Sequence, residues 1–312
     1  MKTLTVISPV YNEAPVIESF YLALKKTLGT LRPKYRSEIL FILDRSSDGT
    51  IEILRKIARK DKSVRVLSLS SRFGHQMSLL AGIDHSHSDI VLMMDSDLQH
   101  PPTVIPQLLR EYEKGNDIVY AVRSDTRKIG FFKKISSALF YKMINMISEV
   151  PINENAADFR LISQKVASVF REQIRERNIF LRGMISWVGF NQASVTFVAG
   201  ERHSGESKYN LARMLRFGIS GVLSFSKKPL QAAILVGSLF AGFALINALV
   251  TFFYYFHDKS LPSGWTTIVI LISGIGGVQL IFLGILGEYL AGIFDEVKGR
   301  PHYLVQEKIN IR

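Results

Sequence analysis

Asp95 and Asp97 carry the strongest chemical signal in the chain, standing two positions apart where the apolar run Ile90-Val91-Leu92-Met93-Met94 ends. Such a run reads as a strand covered on both faces. Alternate residues of an extended chain share a face, so both carboxylates lie on one side as the strand leaves its sheet. Hard oxygen donors placed this way suit Mg2+ or Mn2+, ions that keep other coordination positions for water and phosphate oxygens. Gln99, two positions further on, is a third candidate ligand. For an isolated Asp-x-Asp the plain alternative is a turn rich in Asp and Ser. The elements around it decide between the two.

Those elements alternate. Thr3–Ser8 reads as a strand closed by Pro9-Val10-Tyr11-Asn12-Glu13, followed by a helix with Ile17, Phe20, Leu24 and Leu28 at helical spacing. Glu38–Leu43 is a second strand, ending in Asp44-Arg45-Ser46-Ser47-Asp48, and Ile51, Leu54, Ile57 and Ala58 trace a second helix. Val64–Leu69 is a third strand, Gly74–His85 a third helix, and the strand into Asp95 a fourth. This order predicts an α/β fold with a mostly parallel sheet and helices on both faces. Sheets of this kind bind ligands outside the carboxyl ends of their strands, and three of these ends are acidic. Beyond them, Pro101-Pro102 opens a helix that Gly115 ends, Asp117–Val122 is a further strand leading to Arg123, and Asp158 precedes another strand-like run.

Cations follow. A helix over Phe131–Ile147 carries Lys133, Lys134 and Ser136, and the polar loop Glu201–Tyr209 carries Arg202, His203 and Lys208. A diphosphate-linked donor needs its phosphates neutralised, because the leaving group gathers negative charge in the transition state. Asp95, Asp97 and Gln99 would hold the metal that does this. Arg202, His203 and Lys208 would close over the phosphates, and Asp44 would accept from a base N–H or a ribose hydroxyl. A phosphate on the acceptor would account for Arg123, Lys133 and Lys134, with Ser136 beside them. An acceptor phosphate is already ionised near neutral pH, so positioning and charge cancellation become the main catalytic effects. Asp158 then orients a residue, senses the acceptor or acts as a weak base, and the sequence does not rank these roles.

The chain has 312 residues, 47% of them hydrophobic, but the apolar residues are unevenly placed. Leu230–Phe256 and Trp265–Gly287 contain no charged residue, and each exceeds the ~20 residues that cross a bilayer. Two transmembrane helices are expected. Lys227, Lys228, Lys298, Arg300, Lys308 and Arg312 flank their outer ends, which puts the catalytic part and both termini in the cytoplasm. The stripe Leu211, Met214, Leu215, Gly218, Val222 and Phe225 reads as a helix lying in the membrane interface. The expected divisions are a catalytic domain over 1–205, a juxtamembrane helix over 206–228, the spans over 229–292 and a cytoplasmic tail over 293–312. Met1 leads directly into a strand-like run, so no leader is expected. The absence of cysteine excludes disulfides, thiolate metal sites and a cysteine nucleophile. A formal charge of +12 fits anionic lipid and phosphate ligands better than nucleic acid in a chain with two spans.

In order and spacing, Pro9–Glu13, Asp44–Thr50, Asp95–Gln99, Asp158–Leu161 and Arg202–Lys208 resemble the inverting GT-A glycosyltransferases of family 2. Within these the chain is similar to polyprenyl-phosphate glycosyltransferases: bactoprenol glucosyltransferases and, more distantly, dolichol-phosphate mannose synthases. The resemblance extends over nearly the whole chain, including Leu286-Gly287-Glu288-Tyr289. It implies a nucleotide-diphosphate sugar, UDP-glucose above all, giving its sugar to undecaprenyl phosphate. It further implies that Pro9, Tyr11, Glu13 and Asp44 hold the nucleoside, that Asp95, Asp97 and Gln99 serve metal and diphosphate, that Asp158 faces the acceptor, and that the protein is a homotetramer. Arg45 departs from the family, which usually has a small or acidic residue there. His100 is a second departure, read as a surface residue. A processive polysaccharide synthase is a rival reading, but the Gln-x-x-Arg-Trp motif that holds a growing polymer is absent. A catalytically silent membrane scaffold or sugar-nucleotide sensor is another, opposed by the intact Asp95, Asp97 and Asp158.

Overall fold

The structure, a computed structural model, describes residues 1–124, 156–177, 179–198 and 264–311, together with the helical positions 233, 235–239, 242, 243, 246 and 249. Its strands are β1 (Lys2–Val10), β2 (Tyr35–Leu43), β3 (Val64–Leu69), β4 (Ile90–Met93), β5 (Ile118–Arg123), β6 (Ala156–Ser163), β7 (Gln192–Phe197) and β8 (Val305–Ile309). The helices are α1 (Ile17–Leu31), α2 (Thr50–Lys60), α3 (His75–Asp84), α4 (Ile105–Glu113), α5 (Gln164–Glu172), α6 (Leu181–Trp187) and α7 (Trp265–Val297).

All eight strands form one sheet in the order β7-β5-β6-β4-β1-β2-β3-β8. Its centre is parallel, as the alternation of elements predicts: β1 pairs with β2 from Lys2↔Tyr35 to Val10↔Leu43, β4 lies on the other side of β1, and β3 follows β2. Two strands reverse. β6 runs antiparallel between β4 and β5, and β8 runs antiparallel along β3. The first reversal places Asp158 inside β6, where sequence reading has it ahead of a strand.

Each face is covered for a legible reason. Ile17, Phe20, Leu24 and Leu28 form the buried stripe of α1, and Leu54, Ile57, Ile105 and Leu108 do the same for α2 and α4, all in one cluster with Leu4, Val6, Ile39 and Phe41 of the sheet. Each fully buried side chain of this kind contributes about 2 kcal/mol. On the other face α3 lies so close to β1 that a Cβ on Gly82 would stand 2.3 Å from Ile7 Cγ2. Only glycine permits that approach.

β8 has no counterpart in the sequence reading, which gives the C-terminal segment no strand. Glu307 pairs with Arg55 at 2.6 Å, Asn310 donates to the carbonyls of Ala58 and Val64, and Tyr303 donates to Asp84. Arg300–Arg312 thus belongs to the same compact unit as the strands, whereas α7 lies in a second unit. Within α7, Gly274–Val297 is long and apolar enough to cross a membrane, with a mean hydropathy of 1.7. Ile272, Leu280, Leu290 and Val297 are all exposed, as a helix apolar around its circumference requires when lipid is its solvent. The span expected over Leu230–Phe256 is described only at scattered positions, all helical, including the exposed Leu235, Leu239, Phe243, Ile246 and Leu249. The helix expected over Phe131–Ile147 and the stripe from Leu211 to Phe225 lie outside the described residues.

Candidate active site

The carboxyl ends of β1, β2, β3 and β4 meet at one edge of the sheet. Asp95 and Asp97 follow β4 there. Ser96 between them is buried and donates through Oγ to the Pro9 carbonyl at 3.2 Å. Asp95 and Asp97 on either side of Ser96 are both partly exposed, the Asp95 side chain at 32%. Leu98 then adopts φ 63°, and the chain turns back so that Gln99 N donates to Asp97 Oδ1 at 3.0 Å. A branched apolar residue in the left-handed region costs about 1 to 3 kcal/mol, a strain that collects at functional loops.

Asp158 reaches the same edge through the reversed strand. Met93 pairs with Arg160, and continuing that antiparallel register by two residues on each strand brings Asp95 level with Asp158. His75, at the start of α3, stands between them. Its Nε2 is 2.7 Å from Asp95 Oδ1, and its Nδ1 is 3.8 Å from Asp158 Oδ2, too far for a hydrogen bond but close enough for charge attraction. Two arginines hold Asp158. Arg182 of α6 donates from Nε to Oδ1 at 3.1 Å and from Nη2 to Oδ2 at 2.6 Å, and the fully buried Arg160 donates from Nη2 to Oδ1 at 3.2 Å.

The electrostatics follow from these contacts. Burial pushes the Asp158 carboxyl up, but the Arg182 hydrogen bond and the charges of Arg182, Arg160 and His75 outweigh it and bring it down to about 2. Burial likewise acts against ionisation of Asp95, and the His75 hydrogen bond with the charge of His75 holds it below the usual carboxylate range. Burial lowers Arg160 to about 10 despite Asp158. Both carboxylates are therefore anions at neutral pH. Asp158, so firmly ionised, is a weak proton acceptor, which favours its orienting and acceptor-sensing roles over the role of base.

His100 is not a surface residue. It is buried, with its ring stacked on Phe159 at 5.2 Å and edge-on to Phe197 at 5.9 Å, and its Nδ1 accepts from Asp95 N at 3.1 Å. The aromatic pair removes it from water, and the backbone bond fixes where the Asp95 loop begins.

Asp44 is also buried, and its carboxylate is already engaged. Oδ1 accepts from Phe73 N at 2.9 Å and from Arg45 N at 3.2 Å, and Oδ2 accepts from Gly74 N at 2.9 Å. Asp44 thus anchors the loop after β3. Gly74, at φ 92°, then turns the chain into α3 and delivers His75 to the site. Pro9 contributes its carbonyl as described, Tyr11 lies under the Arg72 guanidinium at 4.2 Å, and Glu13 N donates to Thr50 Oγ1 at 3.1 Å. Arg123 closes β5, whose two reversals relative to β4 put its end at the same edge. Lys133, Lys134, Ser136, Arg202, His203 and Lys208 lie outside the described residues.

Sequence reading gives no role to His75, Gln76, Arg160 or Arg182. The available signal was Phe73-Gly74-His75, a third strand end followed by a glycine and a helix start. Arg182 had none, because only tertiary contact brings α6 to Asp158.

Among the described residues no three His, Cys, Asp or Glu side chains gather as a metal site. A magnesium or manganese ion that also binds substrate phosphates needs only one or two protein carboxylates. The partly exposed Asp95 and Asp97, with Asp95 held ionised, fit that demand.

The glycosyl transferase family 2 model matches residues 5–170. An uncharacterized glycosyltransferase of Bacillus subtilis (strain 168), YkcC, is 36% identical over 98% of this chain and 94% of its own. A prophage-derived bactoprenol glucosyl transferase of Shigella flexneri is 36% identical over 97% of each chain. Among solved structures, a mannosyltransferase from Pyrobaculum calidifontis in complex with GDP-Man and Mn2+ superposes with a TM-score of 0.49 at 16% identity, over 96% of this chain and 88% of that one. The chain belongs to glycosyl transferase family 2 and is a glycosyltransferase related to the bactoprenol glucosyl transferases.

Proposed function

We propose that the protein moves glucose from UDP-glucose to undecaprenyl phosphate with inversion, giving a lipid-linked monosaccharide. The observation that carries this reading is the meeting of Asp95, Asp97 and Asp158 at one sheet edge, in a chain whose full-length relatives include bactoprenol glucosyl transferases. In a single displacement, an oxygen of the acceptor phosphate forms a bond to the anomeric carbon while the bond from that carbon to the UDP oxygen breaks. The acceptor oxygen needs no proton removed, so the firmly ionised Asp158 is no obstacle. Asp95 and Asp97, with Gln99, would hold Mg2+ or Mn2+, which when bound supplies positive charge to the departing diphosphate.

The chain's own residues do the positioning. Pro9, Tyr11, Glu13 and Asp44 frame the nucleoside side, and Arg202, His203 and Lys208 cover the phosphates. Arg123, Lys133, Lys134 and Ser136 take the acceptor's phosphate, with Asp158 facing it. The exposed apolar length of α7 supports a membrane location. With it goes a topology of two spans, a cytoplasmic catalytic domain and, by family resemblance, a homotetramer. The test is to incubate the purified protein and undecaprenyl phosphate with UDP-glucose, UDP-GlcNAc, UDP-galactose and GDP-mannose separately. Glucosyl lipid from UDP-glucose supports the reading, product from another donor corrects the sugar, and no lipid product from any donor defeats it.

A further inference from the structure

We propose that Arg182 is a positioning residue for sugar transfer, gripping Asp158 at two points so that it stays at a fixed spacing from the His75–Asp95 pair. Three observations carry this. The grip uses Nε and Nη2 on separate carboxylate oxygens, at 3.1 and 2.6 Å. Such a fork fixes the plane of the carboxylate as well as its charge, which a lysine cannot do. Second, the helix that carries Arg182 is itself pinned. Leu181 N, one of the amides left without a partner at a helix start, donates to Gln76 Oε1 at 2.8 Å. Neighbouring residues of α3, His75 and Gln76, thus meet Asp158 and Leu181, so the first turns of α3 and α6 are held to each other around the site. Third, the two arginines on Asp158 differ in placement. The Arg160 side chain is 2% exposed and serves as the buried counter-charge, whereas that of Arg182 is 34% exposed and lies toward the opening. A carboxylate needed only to neutralise Arg160 would not require a second, outward guanidinium.

That grip matters for position. The carboxylates of Asp95 and Asp158 lie on either side of the His75 ring, Asp97 follows Asp95 by two residues, and Arg182 and Arg160 both bond to Asp158. Displacements near 1 Å at a reacting centre cost about 100-fold in rate. This inference rests on the reading of Asp95 and Asp158 as parts of the transfer site.

The experiment uses the full-length protein in detergent or nanodiscs, with UDP-glucose and undecaprenyl phosphate. Arg182→Lys keeps the charge and loses the fork, and is expected to lower kcat by about 10- to 100-fold with little change in KM for the donor. Arg182→Met falls further. Added guanidinium ion restores part of the turnover of Arg182→Ala and none of that of Asp158→Asn. The structure of Arg182→Met, determined in parallel, is expected to show Asp158 turned from His75 with the sheet intact. Wild-type kcat in Arg182→Met, a loss that thermal melting accounts for entirely as unfolded protein, or an unmoved Asp158 in the variant structure would each overturn the proposal. Should the wild-type protein transfer no sugar at all, the transfer reading fails, and the variant structure still decides whether Arg182 positions Asp158.

Discussion

Two acidic strand ends, separated by β1, lie at the same edge of the sheet and do different things. After β2, Asp44 and Asp48 are bonded into the fold: Asp44 accepts from the amides of Phe73, Gly74 and Arg45, and Asp48 accepts from the Ala14 and Thr50 amides and the Thr50 hydroxyl. After β4, Asp95 meets a histidine at an open face, and the described bond of Asp97 runs only to the amide two residues on. Residue type and position are alike in the two loops. What differs is whether backbone donors or side chains at the opening satisfy the oxygens, and that sets how much of a carboxylate's bonding capacity is left for a ligand.

The contrast can be broken or sharpened by substitution. Asp97→Asn, which keeps an oxygen for Gln99 N, should cut sugar transfer on the order of 1000-fold through lost charge stabilisation while leaving the melting temperature unchanged. Transfer assays and melts on the same preparation read both. Asp44→Ala should do the reverse first, destabilising the protein by about 3 kcal/mol because three amides lose their acceptor, with transfer falling as His75 loses its support. Thermal melting with and without UDP measures this.

Asp158 belongs to both kinds, and its pH behaviour shows it. Its pKa drops from 3.8 to about 2 on folding, so its contribution is present above pH 4 and is lost as the pH falls toward 2. Between pH 5 and 2 the wild-type protein should lose about 2 kcal/mol more than Asp158→Asn does, a difference that acid titration of melting temperature detects. The smallest effect is expected at Asp48→Asn, about 1 kcal/mol of stability with transfer unchanged. A large loss of transfer there would mean that the β2 loop contacts substrate as directly as the β4 loop does.

The parallel centre of the sheet was legible because each strand is a short buried run and each helix repeats its apolar residues every three or four positions. Val64–Leu69 matches residue for residue, and the buried face of α1 is the predicted one. The strand-end rule then placed Asp95 and Asp97 at the carboxyl edge of the sheet, where they follow β4. Illegible were the features made by distant pairing. Nothing local marks Val305–Ile309 as an edge strand for β3, and a strand-like run after Asp158 does not announce that it runs backwards and carries Asp158 within it. His100 was misjudged for a related reason, since its burial comes from Phe159 and Phe197, remote in sequence. Arg182 and His75 reach Asp158 and Asp95 from helices whose own patterns report only their packing faces.

The most direct measurement follows glucosyl undecaprenyl phosphate formed from UDP-glucose by the wild-type protein with manganese, after chelation, and after manganese is restored. The account predicts product with the ion, loss of product on chelation, and recovery on its return, with Asp97→Asn inert throughout. Undiminished transfer after complete chelation, or wild-type turnover by Asp97→Asn, would contradict it.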